Sequence, residues 1–255
     1  MIVVTMTSWV KRIENVKSVV ESIMNNTVKP DRVYLNLSKT EFDGIELPKS
    51  LVDYFNSDER LVINWVGGEN TKSMKKVFPI LKELNDDDII IDADDDILFP
   101  KDLIESRLND FKKNECKYPI SSNPRTSIGF KGKMCPIQAM SLFQKKMLNN
   151  WDKFVDDVVI HTYNDDRTYL TIMWLNGYTN KGCSKWSIKE LLEKFEIKDE
   201  FSMKDNHIHL IGKKYDMVVN ENFKNKTEKN IIDSFGYYAW YKESGEIFVK
   251  IFDKK

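Results

Sequence analysis

The sequence predicts an α/β protein whose sheet is mixed but mostly parallel, with helices on both faces. Three observations predict it. Short β-branched runs alternate with apolar residues at helical spacing through the first hundred residues, as in a parallel sheet covered on both sides. The fourth such run, Ile-Ile-Ile, delivers a cluster of aspartates at its carboxyl end, where open α/β sheets bind ligands. The chain has 255 residues, and at about 150 residues per domain that length suits one large domain with an elaborated second half.

The elements follow in order. Ile2–Met6 is a short strand, and Ile13, Val16, Val19, Val20 and Ile23 form a helical stripe that Pro30 stops. Arg32–Leu37 is a second strand, Leu47–Phe55 a short helix begun by Pro48, and Leu61–Val66 a third strand. Gly67 and Gly68 turn the chain into a helical stripe of Val77, Ile80, Leu81 and Leu84, and the fourth strand is Asp88–Ile91. Beyond Pro100 the pattern loosens. Asp102–Phe111 is a helix, Pro119–Pro124 a strand entering a loop, and Ser127–Cys135 a hairpin. Arg167–Asn176 is a buried helix ended by Gly177, and Ile188–Phe195 a short amphipathic one. The tail reads as a helix from Asn222 towards Tyr241 and a last strand at Ile247–Phe252.

Composition narrows the function. Thirty-nine Lys and Arg against 40 Asp and Glu give a net charge of -1, so no bulk field favours a nucleic-acid partner. Three cysteines, Cys116, Cys135 and Cys183, form no CxxC pair, which fits a reducing cytoplasm. No signal peptide is recognised, and no apolar run approaches the roughly 18 residues of a membrane span. Any membrane contact is therefore expected to be peripheral, through Lys185, Lys189, Lys194 and the Lys213–Lys214 pair, for which a solvated surface is the preferred reading in so nearly neutral a context.

The strongest chemical signal is the run from Ile89 to Pro100, with Asp92, Asp94, Asp95 and Asp96 crowded at a strand end. Crowded like charges raise one another's pKa unless a cation compensates them, and hard carboxylate oxygens suit Mg²⁺ or Mn²⁺. Such an ion would also neutralise a diphosphate bound at the same place. The alternative is a solvated acidic turn, which is how Asp86, Asp87 and Asp88 are read.

Several segments together resemble the GT-A glycosyltransferases of bacterial capsule and lipooligosaccharide synthesis, in particular the family-2 type. They are Thr5–Trp9 with Arg12 and Ile13, Asn26–Val33, Leu47–Leu51, Ser73–Leu81 and the aspartate-rich strand end. The resemblance implies a nucleotide-sugar-binding half over 1–100 and an acceptor-binding elaboration over 101–255, within a single domain. It implies a DxD-type motif in which Asp94 and Asp96 hold Mn²⁺ or Mg²⁺, with Asp92 or Asp95 left for the ribose or a supporting role. Thr7, Ser8 and Arg12 would line the nucleotide pocket, and Lys76 would face the donor; a surface role for Arg12, Lys75 and Lys76 is the competing reading.

By the same resemblance Asp165 and Asp166 form the acceptor-side pair, Asp166 being the first choice of general base and Asp165 its orienter or substitute. Either could instead cap the helix that follows. His207 and His209 share one strand face, so one could complete the metal site, although structural histidines explain them as well. Trp151, Tyr163, Trp174 and Trp186 could offer planar surfaces to a sugar, Trp174 being the one best explained as core. The implied activity is transfer of a hexose from a UDP-sugar to an oligosaccharide or lipid-linked glycan, with inversion. A retaining transferase and a catalytically silent glycan or nucleotide-sugar binding protein are the alternatives.

Overall fold

The computed structural model describes residues 1–68, 70–123, 137, 139–152 and 165–199. The described strands are β1 (Ile2–Thr7), β2 (Arg32–Ser38), β3 (Leu61–Val66), β4 (Ile89–Ala93), β5 (Ile120–Ser121), β6 (Leu142–Gln144) and β7 (Lys181–Gly182). The described helices are α1 (Val16–Met24), α2 (Lys49–Asn56), α3 (Leu103–Lys113), α4 (Asp165–Leu175) and α5 (Ile188–Lys194). The strands make one sheet in the order β3-β2-β1-β4-β6-β5-β7. The first four are mutually parallel, whereas β6 runs antiparallel to both β4 and β5.

This order places a topological switch beside β1, which pairs with β2 on one side and β4 on the other. A crevice opens outside the carboxyl ends of strands at such a point. Thr5 lies opposite Asp92 across the β1–β4 pair, so residues just beyond each meet at the same edge. The buried faces read as the apolar runs predict: Val3, Val4 and Met6 of β1, Ile90 and Ile91 of β4, and Val16, Val19, Val20 and Ile23 of α1 are all in the core.

The helical stripe expected after Gly68 is not an α-helix. It forms two 3-10 segments, Lys72–Lys76 and Phe78–Glu83. Pro79 cannot donate to the preceding turn, and the Lys76 carbonyl is taken by the Thr5 hydroxyl and the Asn36 amide (3.1 Å). The Ile80 N–H donates to Val77 instead (3.2 Å), closing the tighter turn. Helix α1 stops at Met24, well before Pro30, because Asn26 turns its side-chain amide back to the Ser22 carbonyl and Thr27 donates to Lys101.

Helix α4 begins at Asp165, two residues earlier than its apolar stripe, so both aspartates lie in its first turn. Gly177, at φ +85°, ends it, with the Tyr178 N–H returning to the Met173 carbonyl at 2.9 Å. Strand β6, between β4 and β5, was not foreseen: three residues are too few to show a periodicity. The expected hairpin at 127–135, the helix from 222 and the strand at 247–252 lie outside the described residues. No helix among the described residues is long and apolar enough to cross a membrane.

Arg107 of α3 is fully buried and spends its guanidinium on backbone carbonyls. Nε donates to Met140 (2.8 Å), Nη1 to Lys185 (2.6 Å) and Nη2 to Trp186 (2.6 Å). It thus ties α3 to the entry of β6 and to the turn before α5. Replacing it by Met is expected to leave three carbonyls without their donor, that of Met140 fully buried, and to lower stability by about 3 kcal/mol, read as the midpoint of urea unfolding; an unchanged midpoint would contradict this role.

Candidate active site

The strand end of β4 carries its aspartates into three different environments. Asp92, still in the strand, is fully buried: its Oδ1 accepts the Ser141 N–H (3.0 Å) and its Oδ2 has no hydrogen-bond partner. Burial pushes its carboxyl well above the ordinary range, against the pull of Lys76. Asp92 is therefore walled in behind β6, a position that suits support of the turn and not contact with a ribose. Asp94 is the more open member, its side chain 36% exposed, and its Oδ1 takes the Lys76 ammonium at 2.6 Å.

Asp95 and Asp96 turn towards the end of β1. The Ser8 hydroxyl donates to Asp95 Oδ2 (2.6 Å), and Arg12 Nη1 lies 2.6 Å from Asp96 Oδ2 and 3.4 Å from Asp95 Oδ1. Burial pushes Asp95 up to about 6 although Ser8 and Arg12 pull it down. Burial, helped by the charge of Asp94 and opposed by Arg12, pushes Asp96 up to about 7. Arg12 also meets Asp199 at 3.3 Å, and Asn15 donates to the same carboxylate (2.9 Å). Asp199 arrives there because residues 195–197 pair with the aspartate turn: the Leu98 N–H donates to Phe195 (2.9 Å) and the Ile197 N–H to Asp96 (2.6 Å).

Ser8 and Arg12 thus sit at the predicted crevice, but as partners of Asp95 and Asp96. Thr7 is beside them with its hydroxyl donating to the Asn36 carbonyl (2.7 Å). Of the two adjacent lysines, Lys75 turns to Asn70 and Glu41, and Lys76 turns to the aspartates.

Asp165 and Asp166, the pair expected on the acceptor side, reach the same place from α4. Lys76 Nζ lies 2.8 Å from Asp165 Oδ2, and burial, then the charge of Asp165, pushes the half-buried Asp166 well above the ordinary carboxylate range. Burial works against the Lys76 charge, but Asp165, Asp94, Asp92 and Asp166 outweigh it and hold the ammonium well above its usual value. Tyr169, one turn along α4, is fully buried with its hydroxyl unpartnered in this cluster. Sequence reasoning missed Asp199 and Tyr169, since neither stands in a motif and both are brought in by tertiary packing.

Other expected residues divide. Trp151 stacks on Phe78 (5.3 Å between centroids), and Trp186 donates its indole N–H to Asp102 (2.7 Å) while packing edge-on against Phe195, so both serve internal packing. Of the lysines considered for a membrane surface, Lys185 pairs with Asp102 and Lys189 with Glu193. His207, His209, Tyr163, Cys135 and Lys213–Lys214 lie outside the described residues, as does the side chain of Trp174. Cys116 and Cys183 are free thiols.

The donor set fits a hard divalent cation in one particular way. Among the described residues no three His, Cys, Asp or Glu side chains converge into a ready cage. Mg²⁺-type sites commonly use only one or two carboxylates and take their remaining oxygens from water and substrate phosphates. Asp94, the open member of a turn with more carboxylates than Lys76 and Arg12 neutralise, could supply such a carboxylate, with the buried Asp96, paired to Arg12, beside it.

No family model matches the chain, and no curated protein matches its sequence. Solved structures match its shape. S. aureus TarS 1-349 in complex with UDP superposes over 71% of this chain and 56% of that one, at 11% identity and a TM-score of 0.51. The mannosyltransferase PcManGT from Pyrobaculum calidifontis, in complex with GDP-Man and Mn²⁺, superposes over 91% of this chain and 68% of that one, at 12% identity and a TM-score of 0.57. The fold is GT-A. The chain spans little more than half the length of the TarS fragment.

The raised carboxyls at 95 and 96 make a signed prediction. Their folded values, about 6 and about 7, lie above the ordinary value of 3.8, so the folded state holds protons that the unfolded chain has released. Their contribution to stability is complete below the ordinary value and is lost as pH rises through the folded values. In EDTA, Asp96→Asn is expected to gain on the parent protein in urea midpoint between pH 4 and 8; a difference independent of pH would contradict the burial of Asp96.

Proposed function

We propose that this chain is a metal-dependent glycosyltransferase that moves a hexose from a nucleoside diphosphate, with UDP the first donor to test, to an oligosaccharide or lipid-linked glycan acceptor in surface polysaccharide synthesis. The single observation that carries this reading is the meeting of Asp94, just after β4, with Asp165, in the first turn of α4, at one buried ammonium on the switch-point edge of a GT-A sheet. The neighbours' ligands, UDP in one and GDP-Man with Mn²⁺ in the other, are of the kind such an edge would take.

In this reading residues 1–100 receive the donor and 101–255 the acceptor, as parts of one domain at the cytoplasmic side. Asp94 and Asp96 hold Mn²⁺ or Mg²⁺, which when bound stabilises charge on the departing diphosphate. Ser8 and Arg12 fix Asp95 and Asp96, and so set the turn; Thr7 lies at the pocket wall. Asp92 supports the turn from beneath.

Asp166 is the general base. It takes the acceptor hydroxyl proton as the oxygen forms its bond to the anomeric carbon and the bond from that carbon to the diphosphate breaks on the opposite face, which inverts the configuration. Burial and the charge of Asp165 raise its pKa above that of an ordinary carboxylate, which strengthens it as a proton acceptor. Asp165 orients it.

The test is nucleoside diphosphate release from UDP- and GDP-hexoses with Mn²⁺, over a panel of sugar acceptors. The parent protein is expected to turn over one donor. Asp166→Asn should lower kcat by about 10² to 10⁴ while thermal stability and nucleotide binding persist. Full transfer by folded Asp166→Asn would remove this residue as base, and no turnover of any donor by the parent would count against the transferase reading.

A further inference from the structure

The mechanism gives Lys76, a buried cation at the centre of the site, no task of its own. Lys76 is 5% exposed, and its ammonium joins Asp94 Oδ1 at 2.6 Å to Asp165 Oδ2 at 2.8 Å. At its other end the residue is fixed to the sheet. Its carbonyl accepts from the Thr5 hydroxyl and from Asn36 Nδ2 (3.1 Å), and Asn36 Oδ1 accepts in turn from Asn64 (2.7 Å). The side chain therefore spans two elements far apart in sequence, the turn after β4 and the first turn of α4.

An ammonium enclosed between two carboxylates has little surface left for a phosphate. Moving it to a donor would strand Asp165, which is itself buried, without its counter-charge. Beneath this contact the Tyr169 hydroxyl and Asp92 Oδ2 are buried without hydrogen-bond partners, and the tyrosine, a neutral donor, cannot supply the positive charge that Lys76 gives Asp165.

We propose that Lys76 is a positioning residue that docks the first turn of α4 onto the Asp94 turn, holding Asp165 in an ion pair and thereby aiming Asp166 at the acceptor. Lys76 acts through Asp165 and does not itself touch the donor. The docking contact stands on the geometry alone; its consequence for turnover rests on the glycosyltransferase reading.

The experiment compares Lys76→Met, Lys76→Arg, Asp165→Asn and the Lys76→Met/Asp165→Asn double variant with the parent. Nucleotide binding is read by calorimetry with Mn²⁺ and UDP or GDP, turnover by nucleotide release, and stability by urea unfolding. Lys76→Met is expected to lower kcat about 100-fold, the scale of losing one preorganised charge in a site. Its Mn²⁺–nucleotide affinity should stay within about threefold of the parent's, and Lys76→Arg should recover most of the rate. Asp165→Asn should lose kcat similarly, and the double variant should fall no further than either single change, as for residues acting as one unit.

A loss of nucleotide affinity of about tenfold or more in Lys76→Met, with saturated turnover unchanged, would overturn the proposal and make Lys76 a donor ligand. Independent, multiplying losses in the double variant would overturn it as well. If Lys76→Met does not fold, the split between kcat and donor affinity is read on Asp165→Asn. If the parent binds no nucleotide, the transferase reading has failed, and the docking contact is decided separately by unfolding: coupled midpoints at 76 and 165 support it, additive ones overturn it.

Discussion

Carboxylates outnumber cations at the carboxyl edge of β4, and the arrangement of the site follows from that imbalance. Asp92, Asp94, Asp165 and Asp166 share Lys76, while Asp95, Asp96 and Asp199 share Arg12. Away from bulk water such charges interact several times more strongly than they would in solvent, so each unpaired carboxylate tends to keep its proton. Burial raises Asp95 to about 6 and Asp96 to about 7 even with Arg12 beside them. In the proposed function a divalent cation with a diphosphate supplies the missing compensation.

Holding so many like charges together demands rigid support, and the sheet supplies it. The β1–β4 register sets Thr5 opposite Asp92, and the Thr5 hydroxyl and Asn36 amide grip the backbone of Lys76. On the far side, Met140 donates to the Asp92 carbonyl (2.6 Å) and Ser141 to its carboxylate, while Arg107 anchors Met140 in turn. The aspartates after β4 and those of α4 are thus set by one connected set of backbone and side-chain contacts.

The parts legible in the sequence are the local ones. The four parallel strands showed as β-branched runs, and the aspartate cluster stood out because it closes such a run. Ser8, Arg12 and Lys76 came through resemblance to GT-A sequences and do converge on the cluster, though Ser8 and Arg12 meet its carboxylates and Lys76 bridges to α4. What stayed hidden depends on contacts distant in sequence. Asp165 meets the ammonium of Lys76 across the site, and Asp199 reaches Arg12 where residues 195–197 lie along the aspartate turn. The stripe after Gly68 has helical spacing, yet the side chains of Thr5 and Asn36 capture the Lys76 carbonyl and Pro79 withholds a donor, so a 3-10 path results.

The central claim, that the carboxylate excess is a seat for a divalent cation shared with a nucleoside diphosphate, is tested most directly by titrating Mn²⁺ into the folded protein by calorimetry, alone and in the presence of UDP, GDP or CMP. The account predicts weak binding of Mn²⁺ alone, markedly tighter binding with one of the nucleotides, and loss of both in EDTA and in Asp94→Asn. Binding of neither metal nor nucleotide by folded protein, or nucleotide binding indifferent to EDTA, would contradict it.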